Sequence, residues 1–154
     1  MGIMKRMDTR QRLESDIKDA MRAKDELRKR TLRMALSSIR LAEIEKGEAL
    51  DEQATLALLH KEIKSRQESI ADAERAGRPD LIEESQAEIT ILESYLPVQF
   101  SEQELEALAR QAIDQAGATS PREMGQVMKI LMPLLQGRAT GNDASQVVRR
   151  LLAE

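Results

Sequence analysis

The chain has 154 residues, 33% of them charged and 41% apolar, a net charge of −3, and only Tyr95 and Phe100 as aromatics. That length allows one ordinary domain or two small ones, and the composition suits a folded chain rather than a disordered one. The absence of Cys and the presence of a single His, His60, exclude disulfides, thiolate metal sites, cysteine nucleophiles and Ser-His or His-metal-His chemistry.

With aromatics so scarce, Met, Leu, Ile and Ala must fill the core, and these residues favour helices. No alternating strand pattern appears, and the spacing predicts an all-α fold with helices near 8–24, 26–46, 51–76, 79–96, 101–116, 120–136 and 143–153. The start, "MGIMKRMDTRQ", lacks the apolar region of a signal peptide, and Arg6 stands where a myristoylation signal wants Ser or Thr. Met4 and Met7 are further possible starts, so the first residues read as an extension. Helix 26–46 carries two apolar faces: Leu32, Ala35, Leu36, Ile39 and Ala42 on one, Met34, Leu41 and Ile44 on the other. A helix apolar on two sides is expected at the centre of a bundle.

Gly47, Gly77, Gly117 and Gly137 each follow a helical pattern and read as helix ends. Asp51 is placed to cap the third helix, and Pro79 suits the first turn of the fourth. Pro97 stops that helix. Ser101-x-x-Glu104 and Ser120-x-x-Glu123 read as capping boxes for the next two. Pro133 kinks or ends the sixth helix, because it cannot donate to the carbonyl of Lys129, and Asn142 or Asp143 caps the last. The pattern places a boundary at Tyr95–Phe100, dividing an N-terminal four-helix bundle-like part, 1–96, from a small three-helix part, 100–154.

Charge is unevenly distributed. Residues 79–109 carry Asp80, Glu83, Glu84, Glu88, Glu93, Glu102, Glu104 and Glu106 with no Lys or Arg, between two mildly basic ends. No stretch approaches the roughly 18 apolar residues of a membrane span, and a cytoplasmic protein is expected. His60 reads as a boundary histidine or a lone general base. No catalytic constellation, metal site or cofactor site emerges. The segment "RAKDELRKRTLR" holds Arg28, Lys29, Arg30 and Arg33 among its cations, against Asp25 and Glu26. It is either a solvated face with i,i+4 pairs or a phosphate contact that suits a folded RNA such as tRNA. The run "MGQVMKILMPLLQGRATGND" has neither the spacing nor the strand of a phosphate loop, although Arg138 would project from a turn beside a helix start, where anions are welcome.

"LRMALSSIRLAEIEKG", "KEIKSRQESIADAERAGRPDLIEESQAEITILESYLPVQFSEQEL" and "MGQVMKILMPLLQGRATG" resemble the GatB/YqeY family over about residues 9–153. That family includes the tail of the B subunit of the glutamine-dependent tRNA amidotransferase. It often has an acidic residue before the second glycine of the last run, where this chain has Thr140. The resemblance implies a two-part helical fold and a link to tRNA or a tRNA-handling protein, because the related tail helps hold tRNA. The kinase-like and amidase parts of that enzyme lie outside the tail. Two functions follow as expectations: a tRNA-associated binding module without its own catalytic site, or an RNA-independent protein-interaction or regulatory module. A third, accessory to carbon–nitrogen ligation with glutamine as amido donor, rests on kinship alone.

Overall fold

A computed structural model describes residues 7–154, in which every regular element is helical. In chain order these are α1 (Thr9–Arg22), α2 (Glu26–Lys46), α3 (Glu52–Arg75), α4 (Pro79–Glu93), α5 (Glu102–Ala116), a 3-10 turn at Pro121–Glu123, α6 (Met124–Leu135) and α7 (Gly141–Leu152). The reading of the first residues as an extension falls on residues 1–6, outside the described part. The chain divides into two compact units, Met1–Leu96 and Pro97–Glu154.

In the first unit, short turns join α1 to α2 and α3 to α4, so each pair forms a helical hairpin. Leu13 and Ile17 of α1, Leu32, Leu36 and Ile39 of α2, Leu59 and Ile63 of α3, and Ile89 and Leu92 of α4 make one core. Both α2 and α3 touch each of the other three helices. The inner face of α2 is therefore where the apolar spacing places it, with Ile39 and Leu32 fully buried. The second face departs from expectation: Met34, Leu41 and Ile44 are exposed. Periodicity marks a face as apolar, but this unit's other helices cover α2 from one side only.

In the second unit, α5, α6 and α7 pack pairwise around Ala109, Ala112, Val127, Leu131, Ala144 and Val148. Alanines at these facing positions leave room for the longer side chains of the neighbouring helices. Ser101 and Glu104 form the expected capping box at the start of α5. Ser120 does not cap. The Glu123 N–H donates to the Ser120 carbonyl at 3.0 Å, closing a 3-10 turn instead of reaching the Ser120 hydroxyl. The Glu123 carboxylate turns back to accept from the Thr119 N–H at 2.7 Å.

Helix α6 runs through Pro133 and ends at Leu135, after which Gln136 (φ 49°) and Gly137 (φ 76°) are both left-handed. Gly137 thus adopts the backbone foreseen for it, one residue beyond the cap itself. Thr140, not Asn142 or Asp143, caps α7, its hydroxyl accepting from the Asp143 N–H at 3.0 Å. Gly141 and Asn142 are already helical, so the capping oxygen has to come from the residue before them. An acidic side chain at this position could accept the same N–H.

Candidate functional site

The basic segment opens α2, and the fold distributes its cations among carboxylates that the local sequence does not show. Arg28 lies 3.6 Å from Asp16 of α1. Lys29 pairs with Glu26 at 2.9 Å within its own helix. Arg30 reaches α4, where it pairs with Glu84 and lies 3.6 Å from Glu88. Arg33 has no carboxylate partner among the described residues, and its guanidinium rests 3.6 Å from the Met21 sulfur. Arg40, two turns further along, is also exposed and makes no ion pair among the described residues.

Arg30 belongs to a larger arrangement. Arg66, on α3, is 6% exposed. Its guanidinium donates to Glu62 at 3.0 Å and to Glu88 at 2.7 Å. Glu62 also accepts from the Ser38 hydroxyl at 2.8 Å. Side chains of α2, α3 and α4 therefore share one polar network. A buried guanidinium held by two carboxylates stabilises only while all partners remain. Periodicity gives no hint of it, although the i,i+4 spacing of Glu62 and Arg66 is a local clue.

Nearby, Tyr95 closes the first unit. Its hydroxyl donates to Asp16, and the Arg12 guanidinium lies 4.8 Å above its ring. Burial first, then the Asp16 carboxylate, holds the phenol's pKa far above its ordinary value.

Arg138 is placed in the second unit. Its backbone carbonyl accepts from the Phe100 N–H at 2.8 Å, while its own Nε–H donates to the Val98 carbonyl at 2.8 Å. The guanidinium stacks 4.0 Å over the Phe100 ring and lies 3.6 Å from Glu104. Gln99 adds a bond to the Gly137 carbonyl at 3.0 Å. The turn after α6 thus clamps segment 97–100, and Arg138 is the clamp's main side chain.

The clamp roofs an open groove of about 980 Å³ between the start of α5 and one side of α7, with Phe100, Leu105 and Val147 as its apolar lining. Arg150 and Glu106 face each other across it at 3.4 Å. The Arg110 hydrogen bond, then that of Arg150, lowers the pKa of the Glu106 carboxyl. Among the described residues no group of His, Asp or Glu is gathered to hold a metal ion. His60 is half-buried on α3. Of the sequence candidates, Arg28, Lys29 and Arg30 are paired within the first unit, Arg33 is exposed without a carboxylate among the described residues, and Arg138 belongs to the second unit. Spacing places Leu105 and Val147 on apolar helical stripes without marking them as groove lining, and Arg150 carries no such signal.

The described residues form two small helical units held by apolar cores, ion pairs, helix caps and a loop clamp. The sequence model of the Yqey-like protein family matches residues 10–152, and the chain belongs to that family. It is similar to "Altered inheritance of mitochondria protein 41, mitochondrial" of Lachancea thermotolerans, 39% identical over 119 residues, covering 75% of this chain and 63% of that protein. The protein of the same name from Kluyveromyces lactis is 41% identical over 113 residues, covering 71% of this chain and 60% of its own length. That of Pyrenophora tritici-repentis is 31% identical over 135 residues, covering 86% and 74%. The chain spans less than two thirds of the first two. These relatives are named as mitochondrial proteins, and that finding overturns the expectation of a cytoplasmic protein. The expectation leaned on finding no membrane-span, signal-peptide or myristoylation pattern in the given residues, which says nothing about other destinations.

Proposed function

We propose that this chain is a tRNA-associated helical binding module of the amidotransferase-tail type, without a catalytic site of its own. The observation that carries this reading is the pair Arg33 and Arg40, both exposed on α2 and without a carboxylate partner among the described residues. Cations left in this state are available to phosphate oxygens, which hold a folded RNA by backbone and shape. Tyr95 is buried and Phe100 lies under Arg138, so stacking on unpaired bases is disfavoured. Kinship with the amidotransferase tail is the reason to name tRNA. An accessory role in carbon–nitrogen ligation, with glutamine as amido donor, is a separate reading that rests on kinship alone.

Filter binding of bulk tRNA at two salt concentrations tests this, with Arg33→Glu and Arg40→Glu combined as the variant. Affinity should fall steeply with salt and be lost in the variant. Binding indifferent to both would overturn the reading. Arg28 and Arg30 are poor targets, because reversing them sets like charges against Asp16, Glu84 and Glu88.

A second reading, an RNA-independent protein-interaction or regulatory module, is favoured by the exposed Met34, Leu41 and Ile44 on the same helix. The relatives' name, which speaks of mitochondrial inheritance rather than RNA, joins this second reading.

A further inference from the structure

We propose that the outer face of α2 is a docking site for a protein partner that presents an acidic amphipathic helix. This goes beyond the tRNA reading, and it gives the protein-interaction reading a surface and a partner chemistry. Scattered exposed apolar residues are ordinary on any protein. Here they are aligned. Met34 is 49% exposed, Leu41 58% and Ile44 77%, within three turns of one helix. Arg33, Ser37, Arg40 and Ile44 follow one line along α2, and Met34 and Leu41 follow the adjoining line. The face is therefore apolar with a basic edge, and one acid, Glu45, stands at its far end.

Charge complementarity decides the occupant. Arg33 and Arg40 lack carboxylates among the described residues, whereas Arg28, Lys29 and Arg30 of the same helix have them. A partner that supplies Asp or Glu beside a Leu or Ile stripe satisfies both halves of the face at once. Phosphates would satisfy the arginines and leave Met34, Leu41 and Ile44 in water. A second copy fits no better. Antiparallel pairing of α2 with itself sets Arg33 opposite Leu41 when centred on residue 37 and opposite Glu45 when centred on residue 39, and in both registers Arg40 meets no carboxylate.

The test uses the full chain and two labelled synthetic peptides: a short amphipathic helix whose Leu stripe is flanked by Glu, and its twin with every Glu replaced by Lys. Fluorescence anisotropy should show binding of the first and not the second. Leu41→Ser with Ile44→Ser should weaken it by about tenfold or more, as truncation of interface anchors does. Arg33→Ala with Arg40→Ala should also weaken it and flatten its salt dependence. Circular dichroism should be unchanged in both variants, since all four side chains are exposed. No binding of the acidic peptide, equal binding of both peptides, or affinity unmoved by the Leu41 and Ile44 changes would overturn the proposal. Self-association of the chain that Leu41→Ser abolishes would also overturn it, by assigning the face to a second copy. Bulk tRNA run on the same variants separates the two readings. tRNA binding should depend on Arg33 and Arg40 but not on Leu41 and Ile44, and its failure sinks the tRNA reading alone.

Discussion

The two units hold their helices by different means. Every buried polar side chain among the described residues, Thr9, Thr31, Thr55 and Arg66, lies in the first unit. There a guanidinium and its carboxylates fix three helices against one another. The second unit buries only apolar side chains, and its polar groups work at the rim, as caps on α5 and α7 and as the Arg138 clamp. A charge inside a core is costly to break, and a charge at a rim is worth little until geometry holds it rigidly. Charged residues in the two units should therefore respond to mutation on different scales.

The largest expected effect is in the first unit. Arg66→Ala leaves Glu62 and Glu88 without their shared cation and should destabilise by about 3–5 kcal/mol. Urea melts measure it, and a loss under about 1 kcal/mol would mean that water already solvates the network. Ile39→Ala, at a fully buried position, should cost about 2–5 kcal/mol by cavity formation, with Leu36→Ala toward the lower end because that side chain is 6% exposed. If both are nearly silent, α2 is not the helix on which the bundle rests.

In the second unit the effects should shrink. Gly137→Val forces a β-branched residue to φ 76° and should cost about 1–3 kcal/mol. Arg138→Ala loses the Val98 bond and the Phe100 stack, for about 1–2 kcal/mol. Thermal melts of both would sharpen the contrast, and an Arg138 loss as large as that of Arg66 would erase it. The smallest effect is a pH dependence. Arg110 and then Arg150 depress the Glu106 pKa, so its contribution is present above the unfolded carboxyl value and is lost as pH falls through the folded one. The stability gap between the native chain and Glu106→Gln should therefore close on acidification. A gap that widens in acid would reverse the sign.

Much of the fold was legible because helix punctuation is local. Ser101 and Glu104, Asp51 and Pro79 all act within one turn, and the inner face of α2 follows from spacing alone. Ser120 misled because the same four residues also close a 3-10 turn, and Pro121 does not distinguish the two. The site was less legible for a different reason. A cation's availability depends on what lies across from it: Glu84 is 54 residues from Arg30, and Val98 is 40 from Arg138. Local charge counting saw the basic segment correctly and could not see that α1 and α4 neutralise half of it. The outer face of α2 shows the same limit, since periodicity reports that a face is apolar and not whether anything covers it.

The Tyr95 contact has an optical consequence. This chain has no Trp and a single Tyr, and that phenol is buried against Asp16 at the last turn of the first unit. Near-ultraviolet absorbance and emission above the phenylalanine range therefore come from the first unit alone, and they change when the phenol leaves its carboxylate for water. Far-ultraviolet dichroism, in contrast, sums the helices of both units. Recorded on one sample, the two signals form a two-channel thermometer: coincident curves mean the units melt together, and separated curves time each unit without adding a label to either.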